Sequence, residues 1–213
     1  MLKLAHTAQV MRGPATRRLE STARFCMPEL AGRMVELSGE AASAQLTYAT
    51  KLVLDAQARA EPAAWVTTTA SCFFPPDLVE SGVQLESLVV VRVSANAAHA
   101  QQHKLQAVAA ERLLRSGAFG LVVLDLGAQA QLSQPLQTRL LGLAQKHDAV
   151  LLCLTEKNAE APSLGSLVSL HVHAVRKWQG GDRFECELRV TKDKQRGPTW
   201  SESEVCRGPL GLR

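Results

Sequence analysis

The chain has 213 residues, of which 46% are hydrophobic and 21% are charged, and its formal net charge is +4. This length and composition predict one globular domain with a single core and appended ends. No apolar run reaches the ~18 residues needed to cross a bilayer and the first residues lack the apolar stretch of a signal peptide, so we expect a cytoplasmic protein with no membrane partner.

Basic residues are concentrated at the two ends of the chain. Residues 1–33 carry six Lys/Arg against two Asp/Glu, residues 34–167 carry nine against twelve, and residues 168–213 carry nine against six. Such ends suit a DNA or acidic-protein partner, and equally a solvated surface. Residues 1–32, which include Arg17 and Arg18, are interpreted as a basic N-terminal arm that packs on this domain or on a neighbouring protein, or as a partly ordered tail.

A buried strand at 34–37 breaks at Gly39 and runs directly into a helix, where nucleotide-binding α/β proteins place a phosphate loop. The required pattern is G-x-x-x-x-G-K-[ST], and the chain offers Gly39, Ala44, Gln45 and Leu46 at the fixed positions. Ala44 hinders the close approach that glycine allows, Gln45 carries no charge, and Leu46 cannot bind a metal. We therefore predict a degenerate loop and no bound cofactor or metal.

Further strands and helices alternate along the rest of the chain. The uniformly apolar run at 88–93 predicts a strand with both faces covered, and the helix at 98–116 is expected to bury Leu105, Val108, Ala109 and Leu113. Strands are also predicted at 64–69, 121–125, 149–154, 167–178 and 184–192, and helices are predicted to end near Ala60 and to begin at Pro135 with Ser133 as the cap. The pattern predicts an α/β fold with a doubly wound, mostly parallel sheet flanked by helices, and a C-terminal antiparallel β-hairpin turning at Gly180 and Gly181.

Several polar residues carry both a functional and a structural interpretation. Asp125, at the end of an apolar strand, is placed like a Walker-B aspartate that holds Mg²⁺, but without a working phosphate loop a turn or cap is favoured. His99 and His103 lie four residues apart on a helix, and solvent-facing side chains are favoured over a metal clamp. His171 and His173 share one side of a strand, and a half-buried face is favoured over a metal pair.

Five widely spaced cysteines without a C-x-x-C pair favour free thiols.

The last predicted strand runs into a basic segment that contains Arg189, Lys192, Lys194 and Arg196. Alternation places Lys192 and Lys194 on one face and Arg189 on the other, and Arg196 joins the lysines if the extended geometry persists. Across the hairpin lie three further cations: Arg176, Lys177 and Arg183. The set predicts either a patch that contacts phosphates or a charged edge strand that resists sheet-to-sheet pairing.

From about Arg33 to Pro198 the chain resembles the core of RecA. The resemblance rests on RMVELSG at 33–39, FPPDLVESGV at 74–83, LLRSGA at 113–118 and RVTKDK at 189–194, in that order and at that spacing. It implies a RecA-like core at 33–198, followed by a C-terminal tail at 199–213.

The departures from RecA fall on its ATPase machinery. Beside the degenerate loop, Ala70 stands where RecA has its catalytic glutamate, and Glu156 stands where RecA has a glutamine that senses the γ-phosphate. Asp125 and the pair Lys192 and Lys194, which in RecA faces the nucleotide at the protomer boundary, keep their chemical character. The short connection after Asp125 leaves RecA's DNA-binding loops unrecognisable, which puts DNA binding in RecA's manner in doubt.

A small RecA-like chain with a degenerate phosphate loop resembles the ImuA family of damage-inducible mutagenesis proteins. That resemblance implies a non-catalytic accessory protein of SOS translesion synthesis near the nucleoid, with RecA, ImuB and an error-prone C-family DNA polymerase as partners, and DNA as a further partner of the basic ends. Two alternatives stay open, a divergent RecA-like ATPase and a stand-alone DNA-binding module built on the basic hairpin.

Overall fold

The computed structural model describes residues 24–71, 73–94 and 98–208. Within these ranges the strands are β1 (Met34–Gly39), β2 (Ala63–Thr68), β3 (Leu88–Val93), β4 (Leu121–Ala128), β5 (Val150–Glu156), β6 (Leu170–Gly180), β7 (Arg183–Asp193) and β8 (Ser201–Arg207). The α-helices are α1 (Met27–Leu30), α2 (Gln45–Ala58), α3 (His99–Ser116) and α4 (Gln134–Lys146), and short 3₁₀ helices lie at Pro75–Ser81 and Leu85–Ser87. Every helix in these ranges is too short or too polar to span a bilayer.

All eight strands belong to one sheet in the order β3-β2-β4-β5-β1-β6-β7-β8. The six strands from β3 to β6 in that order are parallel to their neighbours, and β7 and β8 then pair antiparallel. The predicted α/β class, the mostly parallel sheet and the antiparallel hairpin are therefore confirmed. The segment interpreted as a tail, 199–213, contains β8, a strand that the sequence analysis does not predict.

The sheet separates two apolar cores. On one face α1 and α2 cover strand residues such as Leu37 and the fully buried Trp65, whose ring stacks on Phe73 at 4.0 Å. On the other face α3 and α4 cover residues such as Val66 and Leu151. Strands that bury both faces need the near-continuous apolar runs seen in β2, β4 and β5, which explains why the periodicity of the sequence locates these strands well.

The interpretation of β3 as a fully covered strand is wrong. This strand lies at the edge of the sheet and pairs with β2 alone, and Val89 is 43% exposed. Its β-branched residues reflect the general preference of such side chains for a pleated, half-buried surface. Composition alone does not distinguish that surface from a central strand.

The predicted buried face of α3 is wrong at Leu105, which is 40% exposed, whereas Ala109 and Leu113 are partly buried against the core. The helix instead turns polar side chains inward, and His103 Nε2 lies 3.1 Å from the carbonyl oxygen of Leu126, while Gln106 donates to the carbonyl oxygen of Asp125. The buried residues of the helix are His103, Gln106, Ala107, Ala110, Glu111 and Leu114. His103 is thus not solvent-facing, whereas His99 is exposed. At the start of α4, Ser133 occupies the cap position without a side-chain capping bond.

The described part of the N-terminal arm packs on this domain. Phe25, Met27 and Leu30 are buried, and the Met27 backbone N–H donates to Asp55 Oδ2 of α2 at 2.7 Å. The described end of the arm, residues 24–32, is therefore fixed to the core through these three side chains. Arg17 and Arg18, the candidate contacts in the arm, lie outside the described residues.

Candidate functional site

The degenerate loop connects β1 to α2 and is filled by its own side chains. A Cβ placed on Gly39 would overlap Ser43 Oγ, so the serine occupies the space above this glycine. The Ser43 N–H donates to the Glu40 carbonyl oxygen at 3.1 Å, and the Gln45 N–H donates to Ser43 Oγ at 3.4 Å. In a phosphate loop such N–H groups point at the ligand. Here these two are used within the loop.

Gln45 stands where a phosphate-binding lysine would stand, and its side chain is tied to the sheet. Its Nε2 donates to the carbonyl oxygen of Leu37 at 2.6 Å and to that of Thr155 at 3.0 Å. Ala44 beside it is fully buried, and Leu46 is 46% exposed, so Leu46 is not on the buried face of α2. The amide therefore joins the ends of β1 and β5, where both strands approach the loop.

Asp125 of β4 has two hydroxyl partners at the same edge of the sheet. Its Oδ2 accepts from Thr67 Oγ1 at 2.7 Å and from Ser71 Oγ at 3.1 Å. Both partners belong to the chain at or just after β2, on either side of the exposed Ala70. The carboxylate thus connects β4 to β2 and to the residues after β2, but Asp125 lies inside β4 and is not the turn or cap residue that the sequence favours.

Beneath the loop, the Ser38 hydroxyl lies between two histidines of β6. His171 Nε2 is 2.9 Å and His173 Nδ1 is 3.1 Å from Ser38 Oγ, and all three residues are buried. Burial lowers the pKa of both imidazoles, to about 4 for His171, although the nearby Glu36 acts in the opposite direction on His171. Both rings are therefore neutral at pH 7. Among the described residues no group of three or more His, Cys, Asp or Glu could hold a metal ion.

Glu36 is a fully buried carboxylate that fastens the segment after β5. It accepts from Thr155 Oγ1 at 3.0 Å, from Ser163 Oγ at 2.8 Å and from the Leu164 N–H at 2.9 Å, and it forms an ion pair with Lys157. Burial raises the pKa of this carboxyl, but the charge that His171 gains on protonation, the Lys157 ammonium and the Leu164 N–H outweigh that effect and lower it overall. Glu36 thus stays ionised and holds the segment against the sheet.

The lysine pair near the end of β7 fastens the same segment from the other side. Lys192 Nζ donates to the Gly165 carbonyl oxygen at 3.1 Å, and the Lys194 ammonium donates to the carbonyl oxygen of Ser166. The two side chains share a side, as alternation predicts. Their contacts are with the chain itself, where the resemblance to RecA implies a nucleotide.

The other hairpin cations are distributed over several local contacts. Lys177 Nζ and Arg189 Nη2 both bind Glu187 Oε2, at 3.2 and 2.9 Å, and the Arg176 guanidinium lies 5.0 Å from the ring centroid of Phe184. Each of these three cations therefore has a partner within the hairpin.

Arg196 does not join the lysines. The chain turns after Asp193, so the extended geometry that the sequence interpretation requires ends there. Arg196 forms an ion pair with Glu29 of α1 instead. Arg183 lies opposite Arg207 across β7 and β8. The structure therefore does not gather the predicted cations into one patch.

A cavity of about 900 Å³ opens at the carboxyl edge of β4 and β5, between the segments that follow these strands. Its polar lining includes Lys104 of α3, Arg139 of α4, Lys157 and Glu156. Apolar side chains such as Leu132 line the rest. Sequence reasoning missed this cavity because its walls come from loops whose course no periodicity predicts.

Neither a protein-family model nor a curated protein matches the chain. The proposed function therefore rests on the contacts between residues of this chain.

Proposed function

We propose that the chain is a non-catalytic, RecA-like adaptor of SOS-induced translesion DNA synthesis that acts through contacts with RecA, ImuB and an error-prone C-family DNA polymerase. The observation that supports it best is the filled loop, where Ser43 lies against Gly39 and Gln45 binds strand carbonyls. ATP would have to displace these contacts without gaining a lysine or a hydroxyl ligand for Mg²⁺. A domain with such a loop can present a RecA-like surface without turning over nucleotide.

Charge supports a role for the arm in these contacts. Residues 1–23 carry four Lys/Arg against one Asp/Glu, and they precede a segment whose Phe25 and Leu30 are buried in the core. The arm is thus fixed to the domain at its C-terminal end, and its basic part suits an acidic surface on a partner protein.

The test combines calorimetric titration of the full chain with ATP and Mg²⁺ and a pull-down against purified RecA. We expect no nucleotide binding and clear capture of RecA. A variant lacking residues 1–23 should capture less RecA while the rest of the chain still folds, which its cooperative thermal unfolding would show. Deletion of residues 1–30 would be a poor test because it removes the core residues Phe25, Met27 and Leu30.

Two results would contradict the proposal. Micromolar ATP binding would mean that the loop opens, and the divergent ATPase would become the better account of the chain. If the chain captured none of RecA, ImuB and the polymerase, the adaptor function itself would be excluded. RecA serves as the positive control for nucleotide binding in the same buffer.

A further inference from the structure

The tip of the hairpin carries an exposed tryptophan. Trp178 is 70% exposed, whereas Trp65 is fully buried and Trp200 is 9% exposed. A large aromatic ring left in water forgoes a substantial hydrophobic gain. Trp178 is therefore the tryptophan of this chain that is placed to meet a ligand.

The ring is also held in place. Trp178 Nε1 donates to the Gly181 carbonyl oxygen at 3.0 Å, and the turn that allows this contact uses left-handed backbone at Gly180 and Gly181, with φ of 103° and 58°. An aromatic ring that is already oriented loses little conformational freedom when something stacks on it. The tip thus presents a pre-organised flat surface.

Unpaired cations lie at the same end of the sheet, on the face opposite Trp178, because Trp178 pairs with Phe184 and Arg183 directly precedes Phe184 in β7. Arg183 and Arg207 are directly opposite each other in the register of β7 and β8, and neither has an ion-pair partner among the described residues. Like charges placed directly opposite each other destabilise a sheet, and an anion between them would relieve the repulsion. Arg176, with its guanidinium over the Phe184 ring, adds a third cation near the tip.

We propose that this hairpin tip binds single-stranded nucleic acid, with a base stacked on Trp178 beside Arg176 on one face, and with Arg183 and Arg207 contacting phosphates where the strand passes around the tip to the other face. Exposed aromatic rings beside cations are the usual means of binding single strands without sequence preference. Residues 176–185 together with Arg207 carry four cations against two carboxylates, which favours a polyanion over a neutral protein surface. The site is smaller than the basic patch expected from the sequence, and it does not depend on the adaptor function.

The test is a titration of the full chain with a poly-dT oligonucleotide. We expect saturable quenching of tryptophan fluorescence, since the other tryptophans are buried. With a labelled oligonucleotide and anisotropy as the readout, Trp178→Ala should weaken binding about tenfold or more, and Trp178→Phe, which keeps a stacking ring, should retain most of the affinity.

The cations are tested through salt dependence. Arg183→Ala and Arg207→Ala should each lower the slope of log affinity against log salt by about 0.7. Arg112→Ala, an exposed cation of α3, removes the same charge elsewhere and should leave the slope unchanged. Trp178→Ala with wild-type affinity, or no saturable binding by the wild-type chain, would overturn the proposal. Loss of RecA capture by Trp178→Ala with unchanged DNA binding would assign the tip to a protein partner instead.

Discussion

Arg33 Nη2 lies 2.9 Å from Asp193 Oδ1, and both side chains are buried. The same carboxylate accepts from Trp200 Nε1 at 3.0 Å and from the Gln195 N–H at 3.0 Å. Burial raises the pKa of Asp193, but these donors and the Arg33 charge outweigh it and lower the pKa overall. One carboxylate thus connects the start of β1, the turn after β7 and the approach to β8.

Replacing Asp193 with asparagine should destabilise the protein strongly. Asp193→Asn leaves Arg33 buried without a charge partner, which typically costs about 3–5 kcal/mol of the free energy of unfolding. Urea denaturation followed by circular dichroism measures this change. Asp77→Asn, at an exposed carboxylate, is the matched control, and a loss below about 1 kcal/mol in Asp193→Asn would show that the pair contributes little.

Gln45→Ala should destabilise the protein without altering nucleotide binding. The substitution leaves the carbonyl oxygens of Leu37 and Thr155 without their amide donor, at an expected cost of about 1–3 kcal/mol. Gln45→Lys restores a donor to the same carbonyls and should recover much of that loss, which thermal unfolding would detect. We expect no ATP binding by Gln45→Lys in calorimetry, because Ser43 still fills the loop. Binding by this variant would show that the lysine is the missing element.

Glu36→Gln should release the segment after β5. The neutral amide removes the buried partner of Lys157 and weakens the contacts to Ser163 and the Leu164 N–H. Hydrogen exchange should therefore accelerate at Leu164, with a loss of roughly 3–5 kcal/mol in global stability. Glu156→Gln, an exposed neighbour, should change neither quantity. Unchanged protection at Leu164 in Glu36→Gln would mean that Lys192 and the rest of the chain suffice to hold the segment.

Stability should fall as the pH falls from about 6.5 toward 4. His171 has a pKa of about 4 in the folded chain and about 6.5 when unfolded. In this window the unfolded chain takes up a proton that the folded chain does not, so the contribution of His171 is complete above pH 6.5 and is lost on acidification. The shift corresponds to at most about 3.4 kcal/mol. His173 acts in the same direction, while Glu36, Lys157 and Lys192 supply the charges around the ring.

The measurement is the melting temperature of wild type and His171→Gln between pH 7.5 and 4.5. Glutamine does not titrate and can hydrogen-bond Ser38, so the variant should show a flatter dependence on pH. Equal slopes in the two proteins would assign the acid sensitivity to other groups.

The sequence predicts most of the fold because apolar runs and glycine turns determine it locally. β4 and β5 have buried runs on both faces, and the turn at Gly180 and Gly181 permits left-handed backbone. The errors occur where tertiary contacts override composition. Gln106 lies on the inward face of α3 because its side chain donates to the carbonyl oxygen of Asp125 in β4. The pattern of apolar residues does not predict this buried polar contact.

The candidate site is less predictable than the fold. The missing lysine at Gln45 is visible in the sequence, but its use as a connection between β1 and β5 depends on residues 110 positions apart. The sequence likewise places Lys192 and Lys194 on one side of the strand, but it does not indicate that both ammonium groups donate to backbone carbonyl oxygens. The sequence shows a tryptophan at position 178, but it does not predict that the side chain is exposed, because its exposure depends on where the sheet ends.

The position of β1 has a consequence for synthesis on the ribosome. β1 is the first strand within residues 24–208, yet it lies between β5 and β6. Met34 pairs with Leu151, 117 residues later, and Val35 pairs with Leu170, 135 residues later. At about 5–20 residues per second, these partners emerge roughly 6–27 s after β1. Throughout that interval a strand whose residues are all buried in the finished protein lacks its partners in the sheet, which makes it a target for chaperones that shield apolar segments.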